Sequence, residues 1–190
     1  PFVYMCHGQR PWVEQPPSHP QIALYVAISR KLARHIATTL GLSEDAVRVV
    51  RNFVDTKRFS RVRPAADEPP KRAALFGQNI PTNEIDVLER ACRRHGIVLE
   101  TIGYAYGNPR LNPELFLPDY DLVFAIGRSA LEAMACGCAT IPLVPRLAGD
   151  LITPQTLDEW ADVNFSPRYF TTADQIGDAW LDAQLDRLDP

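Results

Sequence analysis

The sequence predicts an α/β fold built on parallel sheets, and three observations carry that prediction. Short runs rich in β-forming residues alternate with stretches whose apolar residues recur at helical spacing, the pattern of successive βα units. Glycines stand where the helical stretches should stop, at Gly41, Gly96 and Gly137. A charged stretch over Asp55–Lys71, with three prolines and no apolar period, reads as a linker between a short first part and a longer second one.

Taken in order, strands are expected near Phe2–Met5, Leu24–Ile28 and Val47–Val50, with a helix over Ser29–Leu40 that ends at Gly41. Three strands are too few for an independent α/β domain, so residues 1–63 read as the C-terminal part of a larger domain plus a linker, dividing near Pro64. Residues 64–190 then form the second domain. Its strands are expected near Ala73–Phe76, Val98–Ile102, Leu122–Ala125 and Thr140–Leu143. Asn83 is a candidate cap for a helix whose Ile85, Leu88, Ala91 and Cys92 share one face and which closes at Gly96. Ser129–Cys136 is a strong helix former, and Ala173–Leu188 carries Ile176, Ala179, Trp180 and Ala183 at helical spacing, fit to pack back on the sheet.

Composition narrows the function. With 46% apolar and 23% charged residues in 190, the chain has the make-up of a soluble globular protein with a real core. A net charge of −3 argues against a general nucleic-acid or membrane-surface binder, either of which needs a basic face. No apolar run approaches the roughly 20 residues that cross a bilayer, and PFVYMCHG lacks the charged start of a signal peptide, so the chain reads as cytoplasmic. Its opening at Pro1 reads as truncated or processed. Cys6, Cys92, Cys136 and Cys138 form no CxxC pair and read as buried free thiols, while Trp12, Trp160 and Trp180 form no stacking stripe and read as packing residues.

The chemistry is concentrated in Asp121–Pro142, DLVFAIGRSALEAMACGCATIP: a buried strand, a tight turn at Ile126-Gly127-Arg128, and a helix. At such a turn the first backbone N–H groups of the helix, near Ser129, Ala130 and Leu131, point at the carboxyl edge of the sheet and can hold an anion. Gly127 lets a ligand approach, and the forked guanidinium of Arg128 suits phosphate. Glu132, one turn in, can accept hydrogen bonds from a ribose diol. A purely structural reading stands beside this one, because glycine turns are common in α/β proteins and a Glu near a helix start is favoured by the helix dipole.

ALEAMACGCATIP (Ala130–Pro142) resembles the signature of retaining, nucleotide-sugar-dependent glycosyltransferases of the GT-B fold. YVAISRKLARHI (Tyr25–Ile36) is similar to the end of that family's N-terminal domain, and RVVRNFVDTKRF (Arg48–Phe59) to its interdomain segment. The resemblance implies a Rossmann-like parallel sheet of the GT-B type, preceded by part of a second Rossmann-like domain. It implies a nucleoside diphosphate sugar as donor, no metal or other cofactor, and an acceptor that is a glycan, a lipid or a small molecule. It places the diphosphate at the Gly127–Leu131 helix start, the ribose on Glu132, and Gly77, Gln78 and Asn79 in the other donor-facing turn, where Thr82 could also donate.

His7 follows the first strand, where the family often carries an acceptor-side His. It is the candidate catalytic residue, against a reading as a loop His bonded to nearby backbone. Tyr104 and Tyr106, after a strand end, are candidates to line the cleft. His19, His35 and His95 read as structural or solvated, and Arg30 and Lys31 as surface charges.

Two departures bear on activity. The first Glu of the family's E-x7-E pair would fall at Phe124, and the Gly77–Asn83 turn contains no cation where the family usually has Arg and Lys. Donor binding without catalysis by this chain alone is therefore the expectation. Two other readings stand: a GT-B nucleotide-sugar epimerase, and a non-catalytic nucleotide-sugar-binding or scaffold module.

Overall fold

The structure, a computed structural model, describes residues 1–8, 14–60, 68–77, 79–170 and 176–188. Trp12, Gln78 and residues 61–67 of the expected linker lie outside the described residues. The fold is α/β with Rossmann-like parallel sheets, and the chain divides into two compact units, Pro1–Asn52 with Leu157–Asn164, and Phe53–Thr156 with Phe165–Pro190.

In the first unit, strands β1 (Phe2–Cys6), β2 (Ile22–Ala27) and β3 (Val47–Val49) form a parallel sheet in that order. Helix α1 (Arg30–Leu40) starts because Ser29, in extended backbone, accepts the Leu32 N–H on its hydroxyl at 3.2 Å. It stops because Gly41 takes the left-handed conformation at φ 66° and closes back on Ala37. Leu32, Ala33, Ile36 and Ala37 of α1 pack on Cys6, Ala27 and Val47. The alternation of the strands turns Val3 and Met5 the other way, and they remain 58% and 43% exposed. Helix α4 (Leu157–Asp162), which the sequence pattern did not reveal, belongs to this unit. Asp162 pairs with Arg51 and, at 3.5 Å, with Arg30, while Asn52 donates to Asn164 at 2.8 Å.

In the second unit the parallel sheet runs β5-β4-β6-β7, with β4 Arg72–Phe76, β5 Val98–Ile102, β6 Leu122–Phe124 and β7 Ala139–Ile141. Ala73, Leu75, Leu122, Phe124 and Ile141 turn toward one core, where Leu88, Ala91 and Cys92 of α2 (Thr82–Arg94) and Leu181 and Leu185 of α5 (Asp178–Leu185) meet them. The opposite set, Ala74, Val123 and Ala125, is also fully buried, as a sheet covered on both faces requires. The helix α3 (Gly127–Ala135) runs from β6 to β7.

Several boundaries differ from the sequence reading. The cap of α2 is Pro81, not Asn83, which lies inside the first turn; proline's fixed φ suits that entry. Pro142 ends β7 one residue after Ile141, and the chain turns into a short antiparallel pair, β8 (Leu143–Val144) with β9 (Leu147–Ala148). The start of the expected linker is an ordered turn: Asp55 accepts the Lys57 N–H on its carboxylate at 2.9 Å and the Phe59 N–H on its carbonyl at 2.8 Å, and Phe59 is buried. All four cysteines are free and buried.

Candidate functional site

Strand order fixes where a ligand can sit in the second unit. From β4 the chain moves outward to β5 and then returns to the other side of β4 as β6, so the connections after β4 and β6 diverge and leave a crevice beyond their carboxyl ends. Gly77 and the start of α3 occupy those two ends.

The two turns touch. Gly77 holds φ at 75°, a left-handed conformation, and a Cβ built there would stand 3.0 Å from the Ser129 hydroxyl oxygen. The left-handed backbone requires glycine, and the Ser129 hydroxyl would have to shift to admit any side chain. The Gly77 N–H is bonded to the Ile102 carbonyl at 3.4 Å, which ties the turn to β5.

Helix α3 begins two residues earlier than the sequence suggests. Ile126 is the N-cap, without a side-chain cap bond, and Gly127 enters at φ 58°. The Ala130 N–H is already bonded to the Ile126 carbonyl at 3.4 Å, so Ala130 and Leu131 lie inside the helical ladder. The leading N–H groups belong instead to Gly127, Arg128 and Ser129. Placing the turn at Gly127-Arg128 missed this, because Gly127 supplies its positive φ within the first helical residue.

Arg128 and Glu132 are brought together, four residues apart on one face. Arg128 Nε donates to Glu132 Oε1 at 2.8 Å, with the arginine side chain 69% exposed and the carboxylate side chain 8% exposed. A carboxylate this buried needs a partner, and Arg128 supplies it. The pair spends only Nε of the guanidinium's five N–H donors, which leaves the terminal amino groups directed elsewhere.

Beside Gly77, a cavity of about 330 Å³ opens between the ends of β4 and β5, lined by Phe76, Gly77, Asn79, Tyr104, Pro109 and Arg110 among others. Tyr104 is 86% exposed and forms part of this wall. Tyr106 does not face solvent in the same way: its hydroxyl accepts the Ile80 N–H at 2.8 Å, fixing the chain just after Asn79, and its ring packs on the core. The loop between them is closed by paired Gly103 and Asn108, and Asn108 donates to the Thr101 carbonyl at 2.9 Å.

Arg110 is the site residue that sequence reading missed. It lies on irregular chain far from the glycine turns in sequence, and only the folding back of residues 103–110 over β5 brings it to Gly77. It pairs with Glu100, donates to the Tyr120 hydroxyl at 3.3 Å and covers the Phe116 ring at 5.7 Å. Burial would raise the Glu100 pKa, but hydrogen bonds from Tyr120 and Asn108 and the charges of Arg110 and Arg72 outweigh it and hold the group below the ordinary carboxylate value. Burial and the neighbouring Glu100 push the Tyr120 phenol up to about 12, so it keeps its proton.

His7 is exposed just beyond β1, at the carboxyl end of the first unit's sheet. The Cys6 thiol next to it bonds to the Gly8 carbonyl at 3.2 Å. His19 accepts the Gln21 N–H at 3.2 Å, and His95 sits at the end of α2, 3.2 Å from Asp182. Phe124 is fully buried in the core and presents nothing to the crevice. Among the described residues no group of three or more His, Cys, Asp or Glu could hold a metal ion, and no helix is long and apolar enough to cross a membrane.

No protein-family model matches the sequence, and no curated protein matches it. Among solved structures, that of HepE from Anabaena in complex with UDP and glucose is similar over 98% of this chain and 67% of its own, with a TM-score of 0.52 and 16% sequence identity. At that identity the likeness is one of fold: this chain shares the α/β architecture of a protein solved with a nucleoside diphosphate and a sugar.

Proposed function

We propose that this chain binds a nucleoside diphosphate sugar at the carboxyl edge of the second unit's sheet and serves glycosyl transfer from it. The observation that carries this reading is the meeting of Gly77, in left-handed backbone, with the start of α3 at the point where strand order reverses. There the leading N–H groups of Gly127, Arg128 and Ser129 and the positive end of the helix favour an anion. One turn on, Glu132 can receive a ribose diol while remaining paired with Arg128. The likeness of fold to a protein solved with UDP and glucose supports the same ligand class, as does the resemblance of Ala130–Pro142 to the GT-B signature.

In transfer, the bond between the sugar's anomeric carbon and the diphosphate oxygen breaks with its electron pair going to that oxygen, while the acceptor oxygen bonds to the carbon and passes its proton to the departing diphosphate. The helix start and the arginine stabilise the charge that develops on the departing diphosphate, which is electrostatic catalysis by fixed dipoles. No metal enters this account, and His7 is the candidate to orient an acceptor hydroxyl.

A second reading is favoured by Phe124. With that position buried in the core, the edge of β6 lacks the carboxylate that the resembled family places on the donor sugar. A module that binds the nucleotide sugar without turning it over fits this feature.

Calorimetric titration of the chain with UDP, GDP and ADP tests the shared part of both readings. One of the three should bind, and Glu132→Ala should weaken it by about tenfold, the loss of one charge-assisted contact. No binding of any of them would remove donor recognition. Hydrolysis or transfer from a matching nucleotide sugar then separates enzyme from module.

A further inference from the structure

The turn after β4, Gly77–Asn83, carries no cation, although it borders the crevice proposed for a diphosphate. We infer that Arg110, which lines the cavity between the ends of β4 and β5 next to that crevice, supplies the cationic contact to the diphosphate on the side of Gly77 away from α3. This rests on the nucleotide-binding reading above and adds a residue and a direction of approach to it.

Three observations support the assignment. Arg110 lines the cavity together with Gly77 and Asn79, so a group seated over the Gly77 turn lies within its wall. Its guanidinium is held before any ligand arrives, by the Phe116 ring against its face, the Tyr120 hydroxyl on Nη1 and Glu100 on Nη2. That fixes a planar donor with little further entropy to lose. The cluster also keeps positive charge: Glu100 is faced by both Arg110 and, at 3.9 Å, Arg72, while Tyr120 stays protonated. Glu100 thus divides its charge between Arg110 and Arg72, and of the three only Arg110 lines the cavity.

The loop geometry serves the same end. Gly103 pairs with Asn108, and Asn108 is anchored to Thr101, so the approach to Arg110 is a closed, braced turn.

The test compares the nucleoside diphosphate that the whole chain binds best, among UDP, GDP and ADP, with its own nucleoside, titrated by ligand-observed NMR up to millimolar concentration. Arg110→Gln should weaken the diphosphate about tenfold and leave the nucleoside unchanged. Arg110→Lys, which keeps the charge and loses the fork, should lie between. Circular dichroism reports whether each variant is folded; where Arg110→Gln does not fold, Arg110→Lys alone decides, with a predicted loss for the diphosphate only. An unchanged ratio of diphosphate to nucleoside affinity, or equal losses of both, would overturn the role of Arg110 while leaving the nucleotide reading intact. Absence of diphosphate binding by the unaltered chain would overturn both.

Discussion

The two units are made from the same βα material and treat their sheets differently. In the first, one face of three strands packs against α1, while Val3 and Met5 on the other face stay largely exposed. In the second, both faces of the inner strands β4 and β6 are buried, and residues 103–110 fold back as a braced turn at the carboxyl end of β5. A ligand edge needs rigid turns, and rigid turns need a fully packed sheet beneath them. The second unit meets that condition, and Gly77, Tyr104, Arg110 and the start of α3 stand on it.

Core deletions should sharpen that contrast most. Leu88 on α2 is fully buried among β4, β6 and α5 residues, and Leu88→Ala should cost about 3 kcal/mol in denaturant unfolding of the second unit. A loss below about 1 kcal/mol would mean that this core is looser than its burial indicates.

Glycine replacements read the turns. Gly77→Ala meets both a left-handed φ and the Ser129 hydroxyl, and should cost about 2 kcal/mol and weaken nucleotide binding. Gly41→Ala in the first unit meets the same φ penalty with nothing within 4 Å, and should cost about 1 kcal/mol. Equal thermal shifts for the two would contradict the close approach of α3 to the Gly77 turn.

The Ser29→Ala exchange removes the hydroxyl that caps α1 and should cost about 1 kcal/mol, read as faster hydrogen exchange in the first turn of that helix. The smallest effect concerns the thiols. Burial pushes Cys92 from 9.0 up to about 12, and burial with the nearby Glu132 and Glu114 carboxylates pushes Cys136 from 9.0 up to about 11. Both favour the protonated form in the folded state, so the stability they contribute is full below pH 9 and is lost as pH rises through the folded values. At pH 8 the folded chain should resist iodoacetamide at both positions and the unfolded chain should not. Mass spectrometry of the labelled peptides distinguishes the two.

Much of the fold was legible because its signals are local. Ser29 and Gly41 bound α1 by side-chain capping and left-handed backbone, and Leu88, Ala91 and Cys92 mark the buried face of α2 by their spacing alone. The candidate site was legible in part for the same reason: Gly77 and Gly127 sit at strand ends, and Glu132 lies in the second turn of the helix that follows. What escaped depends on distant chain. Helix α4 is six residues long and is held by Arg51, more than 100 residues away, so no periodicity announces it. Arg110 acquires its place only when Tyr120, Glu100 and Phe116 gather around it. The pairing of Arg128 with Glu132 was available from their i,i+4 spacing, but reading each as a ligand group obscured it.

The carboxyl edge of the second unit is proposed to hold a nucleoside diphosphate. Titrating isotope-labelled chain with UDP, GDP or ADP and following backbone amide shifts tests it most directly. The largest shifts are expected at Gly77, Asn79, Gly127, Arg128 and Ser129, with smaller ones at Tyr104 and Arg110. Saturable shifts confined to other residues, or none with any of the three, would contradict it.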